Sequence, residues 1–218
     1  APTPFEEDGS LDVPSLSMLT RFLVELGIDG ITVLGVMGEA SKLIESERDQ
    51  IIDGVVKAAN GQIPVCVGTS HAGTDGCIAL SRRAEELGAS ALMVAPPKLA
   101  NGTDEALLSH YLRVADAITL PIVIQDHPTS TGVTMSIDFI ANVADQSSQC
   151  RFLKLEEEPS PRKASQVLAK NPKVEIFGGL GGVMLLEELR HGCMGTMTGF
   201  AYPEILKDIQ TKYISGDI

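Results

Sequence analysis

Short apolar segments of strand length recur along the whole chain and alternate with segments of helical periodicity. Seven of them are rich in Val, Ile, Leu or Met, and their ends are spaced about 20–33 residues apart, the size of one strand–helix unit. They are Gly30–Leu34, Ile63–Val67, Ala91–Ala95, Pro121–Ile124, Cys150–Leu155, Val174–Phe177 and Cys193–Thr198. An eighth strand is predicted near Thr3-Pro4-Phe5.

The intervening segments carry apolar residues at helix spacing and end at typical helix stop signals. The predicted helices are Pro14–Leu26, Ser46–Ala59, Thr74–Leu87, Thr103–Ile118, Ile137–Val143, Pro161–Ala169, Gly182–Leu189 and Pro203–Ile214. The strand segments are apolar on both faces, which is typical of a parallel sheet covered by helices. Eight units in 218 residues, about 27 residues each, therefore predict an α/β fold, a (β/α)8 TIM barrel forming one domain over residues 1–218. A doubly wound open sheet is the competing architecture.

The composition excludes several classes of protein. The chain has 17 basic and 29 acidic residues and a net charge of −12, so a nucleic-acid partner is not expected. No apolar run reaches the roughly 18 residues of a membrane helix, and no secretory signal stands at the start of the sequence. The four cysteines lack zinc-type spacing and are predicted to be buried thiols in a reducing compartment, most simply the cytoplasm.

Lys154 is the most unusual residue at a predicted strand end. It lies in the segment RFLKLE (Arg151–Glu156), on the same strand face as Phe152. Active sites of βα barrels gather where the strands end, and a buried lysine favours the neutral amine that can attack a ketone. Lys154 is thus a candidate for Schiff-base formation. The alternative is a structural lysine that reaches solvent or pairs with Glu156, within an acidic run (156–158) expected to be a solvated face.

Other strand ends carry weaker candidates. The turn Gly35–Glu39 could hold a carboxylate on its backbone N–H groups, or could be only a tight turn. The segment FGGLGG (Phe177–Gly182) could bind phosphate or leave room for a bulky substrate. Ligand types for a divalent metal are present at this end of the predicted barrel, without the spacing of a metal motif. They are His71, His127, Glu39 and Asp126.

Taken in order, four segments resemble the dihydrodipicolinate synthase / N-acetylneuraminate lyase family of class I aldolases and lyases. They are TPFEEDGSLD (Thr3–Asp12), GVMGEASKLIESER (Gly35–Arg48), PIVIQDHPTSTG (Pro121–Gly132) and FLKLEEE (Phe152–Glu158). The resemblance covers nearly the whole chain. It implies a (β/α)8 barrel, a small-molecule substrate and self-association into a homo-oligomer.

The resemblance also implies a chemistry. Lys154 forms an imine with pyruvate or another 2-keto acid, such as a 2-keto-3-deoxy sugar acid, and the iminium acts as an electron sink for aldol cleavage or dehydration. No organic cofactor and no metal is needed. The implied substrate-binding residues are Gly35, Val36, Met37, Gly38, Glu39, Ser41 and Gly179.

Departures from the family pattern are informative. Val36 and Met37 stand where the family usually has two threonines, and Gln125 stands where it has a proton-shuttling tyrosine. Ser130 replaces the arginine of dihydrodipicolinate synthases, which argues against that activity itself. Because glutamine is neither an acid nor a base, proton transfer is assigned first to His127, on the strand face of Gln125.

The predicted catalytic residues are accordingly Lys154, His127, Gln125 and Asp126. Glu39 or a bound water is a further candidate for proton transfer. The sequence ends at Ile218, soon after the last predicted helix, so the family's C-terminal helical extension is expected to be absent. Two other functions remain open: a non-catalytic barrel that binds a keto acid, and a metal-dependent lyase.

Overall fold

A computed structural model describes residues 1–99 and 102–218. Its described part contains one sheet of seven parallel strands, in which every strand pairs with the next one along the chain. The strands are β1 (Ile31–Val33), β2 (Val65–Gly68), β3 (Ala91–Val94), β4 (Ile122–Asp126), β5 (Phe152–Leu155), β6 (Glu175–Gly178) and β7 (Gly195–Thr196). They confirm the seven strand segments predicted between Gly30 and Thr198.

Helices follow the strands, as the alternating sequence pattern predicts. In the described ranges they are α1 (Val13–Glu25), α2 (Glu45–Ala59), α3 (Thr74–Glu86), α4 (Asp104–Asp116), α5 (Pro128–Thr131), α6 (Ile137–Gln146), α7 (Ser160–Lys170), α8 (Leu185–Arg190) and α9 (Pro203–Ser215). Short 3-10 turns occupy Ala40–Lys42, Ser148–Cys150 and Leu180–Gly182. Only α5, a single turn started by Pro128, was not predicted.

Polar side chains fix several helix starts by accepting hydrogen bonds from free backbone N–H groups. Asp12 caps α1 by accepting from Ser15 N, and Thr103 caps α4 by accepting from Ala106 N. Ser136 caps α6 by accepting from Phe139 N at 3.0 Å. These caps explain why the predicted and observed starts of these helices agree within one residue.

Strand alternation divides the sheet into two faces. The outer face, with residues such as Ile124 and Leu153, packs against the helices and forms the main core. The inner face carries a smaller apolar cluster of Cys66, Met93 and Val123. The sheet therefore curls into a half-barrel with helices outside, which is the TIM-barrel-like arrangement that the sequence predicts. All four cysteines are buried and free, as expected.

The predicted eighth strand at Thr3–Phe5 is not part of the sheet. Phe5 forms only an isolated antiparallel bridge with Leu11. The segment nevertheless lies beside β1, since the Ala1 amine donates to Thr32 O and Thr3 Oγ1 donates to Gly38 O at 2.7 Å. Pro2 and Pro4 supply no backbone N–H at alternate positions, so this segment lacks donors for a regular strand ladder.

In residues 1–99 and 102–218, no helix has both the length and the apolar character required to cross a membrane.

Candidate active site

Lys154 lies on the inner face of β5, in the middle of the sheet. Strand pairing places it between Gln125 on β4 and Phe177 on β6. Only 13% of its side chain is exposed. The inner-face thiol of Cys66 is close enough to feel its charge: burial raises the pKa of Cys66 to about 12, and the ammonium group of Lys154 opposes that rise. Lys154 therefore projects its amine over the apolar floor of the half-barrel.

Glu156 is the acidic partner of this lysine. It comes two residues after Lys154 and therefore lies on the same side of the chain. Its Oε1 is 3.3 Å from Lys154 Nζ, and its Oε2 accepts a hydrogen bond of 2.7 Å from Gln125 Nε2. The residue is only 9% exposed. The expectation that residues 156–158 form a solvated face is thus wrong for Glu156, whose backbone N–H is also held by Asp126 O at 2.8 Å.

Gly179 makes room for this carboxylate. A Cβ placed on Gly179 would lie 2.4 Å from Glu156 Cγ, closer than side-chain atoms can approach. The structure thus places Gly179 beside Glu156, the partner of Lys154 and Gln125.

Asp126 occupies the opposite face of the sheet. Its side chain is fully buried, and its Oδ2 accepts a hydrogen bond of 2.7 Å from Lys163 Nζ on α7. Lys163 also donates to Met135 O at 2.8 Å and to Glu157 Oε2 at 2.6 Å. Burial raises the pKa of Asp126, while the ammonium group of Lys163 works against that rise. The Asp126 carboxylate therefore does not lie beside Lys154. It instead forms an ion pair with Lys163 of α7, on the outer face of the sheet.

His127 begins the short helix α5 directly after β4. It is half-buried, and its Nδ1 has no hydrogen-bond partner among the described residues. The ring lies at the end of β4, and no hydrogen bond or ion pair among the described residues joins it to Lys154, in contrast to the Glu156 carboxylate.

The turn after β1 has the form of an anion-binding loop. Leu34 and Glu39 adopt left-handed conformations with φ of 57° and 54°. Gly38 N and Glu39 N close the turn on Gly35 O and Val36 O, both at 3.1 Å. Within the described part of the chain, the N–H groups of Val36 and Met37 donate no hydrogen bond. Free neighbouring N–H groups in such a turn can bind a carboxylate.

The remaining turn residues point elsewhere. The Glu39 carboxylate pairs with Lys42 at 2.6 Å and is 41% exposed, and Ser41 is exposed. Met37 reaches across to the segment after β7, where a Cβ on Gly199 would lie 3.1 Å from Met37 Cγ. The turn therefore extends along the rim of the half-barrel.

The four candidate metal ligands do not form a cluster. Among residues 1–99 and 102–218, no three His, Cys, Asp or Glu side chains are arranged to hold a metal ion. Glu39 bonds to Lys42, Asp126 bonds to Lys163, and His71 Nδ1 accepts from Gly73 N at 3.0 Å.

Comparisons with known proteins identify the family of the chain. The model of the Dihydrodipicolinate synthetase family matches residues 1–218. An L-2-keto-3-deoxyarabonate dehydratase of Azospirillum brasilense is 31% identical over 220 residues, which are 99% of this chain and 71% of that protein. A 4-hydroxy-tetrahydrodipicolinate synthase of Methylococcus capsulatus is 41% identical over 133 residues, covering 61% of this chain and 46% of that enzyme.

Solved structures show the same fold. Dihydrodipicolinate synthase from Rhodopseudomonas palustris superposes with a TM-score of 0.91 at 34% identity, over 100% of this chain and 74% of that one. A prophage protein of the family from E. coli K12, in complex with pyruvate, has a TM-score of 0.92 at 27% identity, over 99% of this chain and 74% of that one.

The family match and the dehydratase relative indicate a lyase of the class that forms a Schiff base on a lysine. The chain belongs to the dihydrodipicolinate synthetase family.

Proposed function

We propose that this protein dehydrates a 2-keto-3-deoxy sugar acid through a Schiff base on Lys154, with Glu156 as the proton-transfer group. One observation carries the proposal: a buried carboxylate lies 3.3 Å from the amine of Lys154, whose side chain is only 13% exposed, and is held there by Gln125. The lysine supplies a nucleophile, and the carboxylate supplies the acid–base group that Gln125 cannot provide.

The first stage is imine formation. Glu156 accepts a proton from the Lys154 ammonium group, and the free amine attacks the C2 ketone of the substrate. The carbinolamine then loses its hydroxyl group as water, with a proton from the Glu156 carboxylic acid, and leaves a protonated imine. The buried side chains of Cys66, Met93 and Val123 form the apolar floor of this part of the site.

The second stage is elimination. The Glu156 carboxylate removes a proton from C3, and the electron pair moves into the iminium to give an enamine. The C4 hydroxyl then leaves as the C3–C4 double bond forms, taking a proton from the Glu156 carboxylic acid to give water. One carboxyl group thus removes a proton and returns one, so the elimination requires no second acid. Water then hydrolyses the unsaturated imine, which releases the 2-keto acid and restores the Lys154 amine.

The substrate carboxylate is assigned to the turn after β1. Its binding there rests on the free N–H groups of Val36 and Met37 in place of hydroxyl side chains. Gly35 and Gly38 keep the turn compact, and Gly179 leaves space beside Glu156.

Dehydration is proposed in preference to aldol cleavage on the strength of a relative that aligns with 99% of this chain. The Azospirillum relative is a dehydratase of a 2-keto-3-deoxy acid. His127 is kept as a group that binds the distal hydroxyls, at the end of β4.

The proposal also covers the domain organisation, the assembly and the cellular compartment of the protein. We expect residues 1–218 to act as one domain in a homo-oligomer, by analogy with the family. Four free, buried cysteines suit a reducing compartment such as the cytoplasm.

The test begins with trapping of the imine. The protein is incubated with pyruvate and borohydride, and its intact mass is compared with those of Lys154→Ala and of Lys170→Ala, an exposed control lysine. We expect an adduct on the wild type and on Lys170→Ala only. If folded wild-type protein forms no adduct, or if Lys154→Ala forms one, the Schiff-base assignment is wrong.

The second arm measures dehydration of 2-keto-3-deoxy-L-arabonate. Glu156→Gln keeps the size of the side chain and should lower kcat by about 10²–10⁴-fold, whereas prolonged trapping with pyruvate still yields the adduct. Full activity of Glu156→Gln would refute its role in proton transfer and leave the imine untouched.

A further inference from the structure

A second buried carboxyl group lies behind the proposed site and takes no part in the steps above. Glu188 on α8 is only 2% exposed. Its Oε1 accepts a hydrogen bond of 2.6 Å from Ser160 Oγ at the start of α7. Its Oε2 is buried and has no hydrogen-bond partner among the described residues.

Two consecutive glycines separate this carboxyl group from Glu156. A Cβ on Gly178 would lie 1.8 Å from Glu188 Oε2, and a Cβ on Gly179 would lie 2.4 Å from Glu156 Cγ. Because neighbouring residues of a strand face opposite sides, Glu188 approaches β6 from the helix side and Glu156 approaches its end from the inner side. The end of β6 therefore has one carboxyl group on each side and no side chain of its own between them.

The two carboxyl groups have unequal surroundings. Glu156 has the Lys154 ammonium group and the Gln125 amide as partners. Glu188 has one hydroxyl donor and, in the described part of the chain, no lysine or arginine within ion-pair distance. Two nearby carboxylates seldom ionise together in a buried place, so the proton stays on the group with the poorer partners.

The other groups that face Glu188 add no positive charge. Ser160 comes from α7, Gly178 from β6, and the Cys193 thiol from the segment before β7, its pKa raised to about 12 by burial and then by Glu188. The Tyr213 hydroxyl of α9 donates to Leu189 O. Burial raises the pKa of Glu188, the hydrogen bond from Ser160 opposes the rise, and the charge of Glu156 adds to it.

We propose that Glu188 is a positioning residue that carries a proton in the resting enzyme and so leaves Glu156 as the one ionised carboxylate at the end of β6. This inference rests on the proposed role of Glu156. Neutral Glu188 keeps the negative charge of the site at one, which preserves the ability of Glu156 to deliver a proton to the leaving hydroxyl. Once Glu188 ionises at higher pH, Glu156 becomes a weaker acid and the elimination slows.

Infrared spectroscopy tests the protonation state directly. The carbonyl-stretch band of a protonated carboxylic acid should be present in the wild type at neutral pH and absent in Glu188→Gln. Glu187→Gln, an exposed neighbour on the same helix, should keep the band. If Glu188→Gln does not fold, Ser160→Ala serves instead, since loss of its hydrogen bond should move the band to higher frequency.

Kinetics separate a tuning role from a structural one. In Glu188→Gln the alkaline fall of kcat should move upward by about one pH unit, with KM little changed, whereas a purely structural role would lower activity equally at every pH. An absent band in the wild type, or an unchanged pH profile in Glu188→Gln, overturns this inference. Failure of Glu156→Gln to lose activity would instead overturn the proposed function.

Discussion

Removal of the Lys163 ammonium group should be among the most damaging changes outside the site. Lys163→Met leaves Asp126, whose side chain is fully buried, without a partner on either oxygen, because among the described residues Oδ1 already has none. Glu157 is 31% exposed and can turn toward water, so the cost falls mainly on Asp126. Loss of one member of a buried ion pair costs about 3–5 kcal/mol, so we expect a loss of that size in the free energy of unfolding near neutral pH.

The sign of the pH dependence follows from Asp126. Burial already raises its pKa against the opposing effect of Lys163, and loss of Lys163 raises it further. The folded variant then takes up a proton at a higher pH than the unfolded chain does. Its deficit in stability should therefore shrink as the pH falls, by at most about 1.4 kcal/mol per pH unit.

Urea denaturation of Lys163→Met at about pH 8 and about pH 5.5 measures both quantities. The matched control is Lys170→Met on the same helix, whose pair with Asp138 is exposed and contributes about 0–1 kcal/mol. The variant Asp126→Asn combined with Lys163→Met removes both charges and should recover part of the loss. The reasoning is refuted if Lys163→Met is as stable as Lys170→Met, or if its deficit does not depend on pH.

Three further changes test other parts of the structure. Gly179→Ala forces Glu156 aside and should lower kcat by about 100-fold, whereas Gly54→Ala, where a Cβ meets only ordinary contacts in α2, should leave kcat unchanged and raise the melting temperature. Burial lowers the pKa of His110 to about 4, so the folded protein binds fewer protons than the unfolded chain below about pH 6.5. The free energy of unfolding should consequently decrease as the pH is lowered from about 6.5 to about 4. An NMR titration of the His110 ring checks the cause, and a ring that titrates normally would contradict it. Ser136→Ala removes the cap of α6 and should cost about 1 kcal/mol in urea denaturation, a value near zero being the contrary result.

Local patterns in the sequence were sufficient for most of the secondary structure. Apolar runs bounded by glycine placed seven strands, and cap residues such as Thr103 placed helix starts. The prediction of an eighth strand at Thr3–Phe5 was wrong. It was made to complete eight strand–helix units, but the prolines of this segment have no backbone N–H to donate. Counting strand–helix units is therefore a weaker basis for predicting a strand than checking whether the segment has backbone N–H groups that can donate hydrogen bonds.

The site shows a different limit. Lys154 was identified because a charged residue interrupted an apolar run, but Glu156 was hidden in an acidic run that resembles a solvated surface. Strand alternation held the missing signal, since it puts Glu156 on the side of Lys154 and Asp126 on the side away from Gln125. The burial of Glu188 had no local signal, because it depends on a glycine of another element, Gly178 of β6.

The order of the strands bears on how the chain folds as it is synthesised. Each strand of the sheet pairs with the strand that leaves the ribosome just before it, so a new strand finds its partner already in place. Each pairing spans a single strand–helix unit, so no strand waits for a distant part of the chain to be synthesised. As the sheet grows, the next helix–strand unit covers its newest edge, while the other edge, at β1, lies beside the segment of Ala1 and Thr3. The consecutive order of the sheet is thus also a defence against aggregation during synthesis.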